Sequence, residues 1–313
     1  MIRKLGLIFL IIIASQFTKI GQKLDFVLVK MAADAGYSKA QYFLGYAYEN
    51  CFSTPQNYEQ ALAWYAKAAE QGDARAQSRI GAIYYNGSGV SQSYESAMNW
   101  FTKAAEQENA DAQDYLGAMY YFGQGVKQSY EQSAGWYTKA AEQGNSHAQD
   151  FLGYIYYNGE GVPQSYEKSL TWYTKAAEQG NDHAQDFLGY MYYDGQGVPQ
   201  NYEKALTWYT KAAEQGNAHS QNYLGYIYRN GKGAPQDFQQ ALSWYTKAAQ
   251  QGNTDAQITL GWMFHEGNGV PKNNLLAVSW FSKAALQGNL VAKANLELLA
   301  SQNKVRKVEP AQK

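Results

Sequence analysis

Trp172-Tyr173-Thr174-Lys175-Ala176-Ala177-Glu178-Gln179-Gly180 decides the fold, because it recurs at a fixed interval. Trp64, Trp100, Trp136, Trp172, Trp208, Trp244 and Trp280 stand 36 residues apart, with no insertion or deletion. The closing glycine recurs as Gly36, Gly72, Gly144, Gly180, Gly216, Gly252 and Gly288, and Glu108 breaks the row. One phase held over most of 313 residues means a repeat array, which grows by stacking units rather than by enlarging one core.

Each unit reads as two helices. In 181–216 the first spans about 182–193, with Ala184, Phe187, Leu188, Met191 and Tyr192 at helical spacing. Gly189 sits mid-helix, where glycine costs roughly 1 kcal/mol against alanine. It recurs in every unit, which predicts close approach of two helix backbones. The loop Asp194-Gly195-Gln196-Gly197-Val198-Pro199-Gln200 follows, and Pro199 blocks helix until the next start. Asn201 is a fair N-cap for a second helix to about 215. Ala205, Trp208 and Ala212 form one apolar stripe there, and Leu206, Tyr209 and Ala213 the adjacent one. Gly216 supplies the stop. The expected fold is all-α, an α-solenoid of αα-hairpins. Seven full units run over 37–288, after a capping half-repeat at 25–36. A C-terminal capping helix at 289–300 and a polar, disordered tail at 301–313 follow.

The ends and the composition narrow the role. Arg3 and Lys4 precede an apolar run over 5–14, too short to span a bilayer, which needs about 20 residues. A signal peptide ending near 16 is expected, hence a periplasmic or secreted protein. An uncleaved membrane tether and a cytosolic scaffold with a fortuitous apolar start are the alternatives. Membrane contact is expected only through this segment, and the expected state is a monomer. The net charge of −1 gives no basic excess to neutralise phosphates, so nucleic acid is not an expected partner. Cys51 is the one cysteine, so no internal disulfide staples the chain. It stands where other units have a loop glycine and reads as a drifted loop residue.

The pattern Ala-x-x-x-Leu-Gly-x-x-Tyr-x-x-Gly-x-Gly-Val-Pro-Gln-x-Tyr-Glu-x-Ala-x-x-Trp-Tyr-x-Lys-Ala-Ala-Glu-Gln-Gly, cleanest over 184–216, resembles the Sel1-like repeat, a relative of the tetratricopeptide repeat. The resemblance covers about 37–300. It implies a right-handed superhelical solenoid that acts as a protein-interaction scaffold, with secreted or periplasmic bacterial members common. Some members are linked to host-cell interaction and some to cell-envelope biology. A cysteine-rich branch, with one disulfide per repeat, is associated with β-lactam binding; those cysteines are absent here.

Tetratricopeptide-like geometry implies that the first helices line a concave groove. The groove candidates are the first-helix positions outside the apolar stripe. In register they are His147, His183 and His219; Asp114, Asp150, Asp186 and Asn222; Tyr154, Tyr190, Tyr226 and Trp262; Tyr121, Tyr157, Tyr193 and Arg229; and Asn158, Asp194 and Asn230. Aromatic rings flanked by hydrogen-bonding groups suit a protein or extended peptide. The alternative is that the tyrosines pack between repeats and the polar groups solvate the helix. Histidines one repeat apart lie about 8–10 Å from each other, too far for one metal ion, so no metal and no cofactor are expected. His147/Asp150 and His183/Asp186 are i, i+3 pairs expected to form surface ion pairs. Ser165-Tyr166-Glu167-Lys168 matches the Ser-x-x-Lys of penicillin-recognising serine enzymes. The same slot one unit on is Asn201-Tyr202-Glu203-Lys204, which points to a drifting cap position. No catalytic residue is assigned, and an envelope enzyme or β-lactam-binding protein is the alternative to a non-enzymatic scaffold.

Overall fold

The computed structural model describes residues 19–308; the signal segment expected at 1–16 lies outside the described residues. Sixteen helices and no strand occur among the described residues. In chain order they are α1 (Lys19–Asp34), α2 (Ser38–Glu49), α3 (Tyr58–Glu70), α4 (Ala74–Asn86), α5 (Tyr94–Ala105), α6 (Ala110–Phe122), α7 (Tyr130–Glu142) and α8 (Ser146–Asn158). They continue as α9 (Tyr166–Glu178), α10 (Asp182–Asp194), α11 (Tyr202–Glu214), α12 (Ala218–Asn230), α13 (Phe238–Gln250), α14 (Thr254–Glu266), α15 (Asn274–Leu286) and α16 (Leu290–Val308). They form two units that divide within α8: residues to 155 with 159–163, and 156–158 with 164 onward. In the first unit consecutive helices from α1 through α7 pack on one another, and in the second consecutive helices from α9 through α16 do the same. This is an α-solenoid of αα-hairpins, as the 36-residue period predicts.

Short polar side chains start the helices from α3 to α15. Asn181 accepts from the Ala184 N–H at 2.8 Å to open α10, and Asn201 from the Lys204 N–H at 2.9 Å to open α11. Gly216 ends α11 at φ +102°, with its N–H on the Ala213 carbonyl and the Asn217 N–H on Ala212. At Glu108, φ +61°, the equivalent bonds run from its own N–H to the Ala105 carbonyl and from the Asn109 N–H to Ala104. A side chain in that left-handed region costs about 1 kcal/mol or more. Glu108→Gly is therefore expected to raise stability by roughly 1 kcal/mol, read as a higher midpoint in thermal or urea unfolding. An unchanged or lower midpoint counts against this account of the motif. Cys51 is an exposed free thiol at φ +60°, and Ser53 holds φ +58° in the same loop.

The core falls differently from the expected stripe. Tyr65, Phe101, Tyr137, Tyr173, Tyr209, Tyr245 and Phe281 are almost wholly buried, whereas Trp208 is half-buried. The inward face of α11 is Ala205, Tyr209, Ala212 and Ala213. Each of the seven tryptophans of the 36-residue row instead carries a lysine ammonium, from three residues on, at 3.8–4.6 Å from its ring centre. The mid-helix glycines do not serve helix-backbone contact. A Cβ on Gly189 would lie 2.6 Å from Cδ1 of the Tyr209 ring, and Gly45, Gly81, Gly117, Gly225 and Gly261 face their own hairpins' rings similarly. The glycine is the floor of an aromatic slot.

A buried amide ladder ties neighbouring units. Gln221, 4% exposed, donates from Nε2 to the Ala213 carbonyl at 3.0 Å, and its Oε1 accepts from Gln251 Nε2 at 2.8 Å. Gln77, Gln113, Gln185 and Gln257 repeat both bonds. The carbonyl belongs to the last turn of the preceding hairpin, where helical partners run out. The last helix runs past the expected stop at 300 to Val308. Neither glycine nor proline interrupts 290–309, so nothing ends the helix there.

Candidate functional site

The predicted residues lie on the first helices of the hairpins: α6, α8, α10, α12 and α14. Two of them are corrected at once. Asp150 and Asp186, expected at an open surface, are 6% and 7% exposed. The expected i, i+3 ion pairs are replaced by pairs between repeats. His147 Nδ1 lies 2.8 Å from Asp114 Oδ1, and His219 Nδ1 lies 2.8 Å from Asp186 Oδ2. The Ser220 hydroxyl also donates to Asp186 Oδ1, at 2.5 Å. The aspartate lies in the joint between first helices, so its partners come from the first turn of the next one.

The hydrogen bond to Asp186 holds the His219 imidazolium above its ordinary pKa, with a smaller push from Asp255 and opposition from burial and His183. A raised folded-state pKa gives stability that is fully present below the unfolded histidine value, about 6.5, and lost as pH rises through the folded value. The His219 side chain is 53% exposed, so solvent screening keeps the contribution at about 1 kcal/mol or less. His219→Gln is expected to cost stability near pH ~5.5 and almost none near pH ~8.5, compared with wild type by urea unfolding at each pH. An equal cost at both contradicts the ion pair.

The tyrosines gather in interlocked sets. In the second unit Tyr157 meets Tyr166 at 5.2 Å and Tyr190 at 6.5 Å between ring centres. Tyr193 meets Tyr202 at 5.2 Å and Tyr226 at 6.1 Å. Lys232, from the next loop, donates to the Tyr193 hydroxyl at 3.1 Å and lies 5.4–5.5 Å from the centres of Tyr193, Tyr202 and Tyr226. Burial raises the pKa of the Tyr157 and Tyr193 phenols, so both stay neutral at physiological pH. In the first unit Tyr121 and Tyr154 repeat the pairing at 6.4 Å. These rings therefore pack between repeats and keep an outer edge: Tyr190 is half-buried, and Tyr226 is 40% exposed.

The remaining candidates stand apart. Arg229 is half-buried and its charge opposes the rise that burial gives the Tyr245 pKa, while Trp262 meets Phe281 at 5.5 Å and His265 at 5.6 Å. Asp194 is exposed and accepts from Gln196, while His183 is exposed and Asn222 half-buried. Sequence reading missed Lys232 and Ser220, because one sits in a loop and the other occupies an alanine slot. It also missed a cavity of about 570 Å³ among α4, α6 and α8, with His147 on its wall.

Ser165 Oγ accepts from the Lys168 backbone N–H at 3.3 Å and so caps α9; the Lys168 ammonium lies 5.1 Å from the centre of the Tyr156 ring. Among the described residues no three His, Cys, Asp or Glu side chains are grouped to hold a metal ion. No helix there is long and apolar enough to cross a membrane.

Comparison places the architecture. The Sel1 repeat matches seven times, at 38–73, 74–109, 110–145, 146–181, 182–217, 218–253 and 254–289. The chain is 40% identical to c5321, described as a protective antigen present in uropathogenic Escherichia coli strains, with a TM-score of 0.80. That match covers 89% of this chain and 60% of the antigen, so this chain spans less than two thirds of it. A Sel1 repeat protein from Oxalobacter formigenes is 36% identical with a TM-score of 0.70, covering 88% of this chain and 80% of the other. No curated protein matches. Seven in-phase matches and these two structures establish that the chain belongs to the Sel1 repeat family.

Proposed function

We propose that the protein is a non-enzymatic, monomeric scaffold that holds a protein or extended peptide against the first helices of its repeats, in the bacterial envelope or toward a host. Sel1 repeat arrays are commonly protein-interaction scaffolds. The observation that carries the proposal is the Tyr157–Tyr190 and Tyr193–Tyr226 pairing, rings fixed by packing yet with Tyr226 left 40% exposed. Rigid aromatic anchors lose little side-chain freedom on binding, which suits them to dominate an interface. The apolar run at 5–14 supports export, and the antigen nature of the E. coli relative is consistent with it. Ser165 is engaged as a helix cap, so no covalent label is expected from a fluorescent β-lactam.

The test is capture of envelope proteins by wild type and by a Tyr190→Ala/Tyr226→Ala/Trp262→Ala variant with unchanged helical circular dichroism. Loss of an anchor costs about 2 kcal/mol, roughly thirtyfold, so captured partner is expected to fall below detection. Equal capture by the folded variant overturns the proposal.

A further inference from the structure

The column that runs Tyr46, Ala82, Ala118, Tyr154, Tyr190, Tyr226, Trp262 is aromatic at every repeat except two adjacent ones. Both alanines line the first unit's cavity of about 570 Å³, which lies where two rings of the column are missing. Tyr85, Tyr115, Phe122 and Phe151 also line it. Tyr115 is held by stacking on Phe101 at 4.5 Å and Tyr85 by an edge contact to Tyr115 at 5.4 Å, so the pocket is preformed.

The charges around it are unequal. The Arg79 guanidinium lies 3.8 Å from Glu49 and 5.4 Å from the centre of the Tyr46 ring, so its charge is compensated. Asp114 is engaged by His147 at 2.8 Å. Asp111 is exposed, and the group on its carboxylate is the neutral Asn145 amide at 3.3 Å. Among the described residues, no cation pairs with this carboxylate of the lining. Asp111 and Asp114 are i and i+3 on α6, neighbours on one helix face. Aromatic faces beside an uncompensated carboxylate attract a cation. The array already uses that chemistry internally: Arg75 lies 4.4 Å from the Tyr42 centre, and Lys232 sits on three tyrosines. A planar guanidinium stacks on rings and presents forked donors to carboxylates, which an ammonium does not.

We infer that the Ala82/Ala118 pocket receives an arginine side chain of the partner, stacked among the aromatic rings and hydrogen-bonded to Asp111 and Asp114. The inference rests on the reading that first helices meet a protein partner, and it names the residue recognised in the first unit.

The test titrates the protein with acetyl-Gly-Arg-Gly-amide, and with the citrulline and phenylalanine counterparts, followed by amide chemical shifts around α4, α6 and α8. The arginine peptide is expected to bind with a Kd of about 1 mM, and citrulline, which keeps the shape without the charge, about tenfold more weakly. Ala118→Tyr restores the tyrosine found at Tyr46, Tyr154, Tyr190 and Tyr226 in the same column and is expected to abolish binding. Asp111→Asn, which keeps the helix surface intact, is expected to weaken it several-fold. Equal binding of citrulline, tighter binding of phenylalanine, indifference to Ala118→Tyr, or no shifts at all overturns the pocket. If the pocket fails while the Tyr190/Tyr226/Trp262 variant still loses its partner, the scaffold reading survives and the arginine assignment alone falls.

Discussion

Gly189→Ala is expected to destabilise the protein by about 2 kcal/mol, against the roughly 1 kcal/mol gain that alanine ordinarily brings to a helix interior. The new Cβ would lie 2.6–2.8 Å from three atoms of the Tyr209 ring. That ring is fully buried and stacked on Tyr223 at 4.9 Å, so it has nowhere to go. Gly135 supplies the internal control. It too lies inside a helix, α7, but a Cβ there meets nothing within 4 Å. Gly135→Ala is expected to stabilise by about 1 kcal/mol, so one substitution takes opposite signs at two helical glycines. A double-mutant cycle of Gly189→Ala with Tyr209→Ala isolates the contact: without the ring, the alanine should no longer be penalised. Urea unfolding followed by circular dichroism reads all of these. A stabilising Gly189→Ala would contradict the aromatic slot.

Gln221→Leu is expected to cost about 3 kcal/mol despite its similar size. The substitution removes the donor on the Ala213 carbonyl and the acceptor of the Gln251 amide inside a joint where Gln221 is 4% exposed. Leaving a buried partner unsatisfied costs more than the net value of a hydrogen bond. Gln251→Ala, by contrast, should cost under about 1 kcal/mol, because Gln251 is exposed and water takes its place. Hydrogen exchange should show the Gln221→Leu loss concentrated in α11 to α13, since repeats couple chiefly to their neighbours. Unfolding midpoints equal to wild type would remove the ladder from the account.

The 36-residue period made the hairpins legible, because tryptophans, glycines and alanines on one phase need only counting. Which of Trp208 and Tyr209 is buried was not legible. They are adjacent and both apolar, and a turn of about 100° between them decides which faces inward. The slot explains why tyrosine or phenylalanine, rather than tryptophan, occupies the inner place opposite each glycine. The histidine pairs were misread because an i+3 neighbour is visible in one helix, whereas the contact to Asp186 depends on how consecutive repeats are rotated. Ala118 stands where the next repeat has Tyr154, which counting along the period shows, but a missing ring becomes a cavity only when its neighbours do not close over it. The buried glutamines recur as plainly as the tryptophans, but a glutamine's polarity carries no sign of burial, and only the partners of these side chains explain it.

In the proposed role the recurring residues hold the array while the first helices meet the partner. Site-specific photo-crosslinking tests it most directly, with benzoylphenylalanine placed at position 226 on α12 and, as control, at exposed position 211 on α11. The account predicts a discrete protein adduct from position 226 and none from 211. Equal adducts from both, or an adduct from 211 alone, would contradict it.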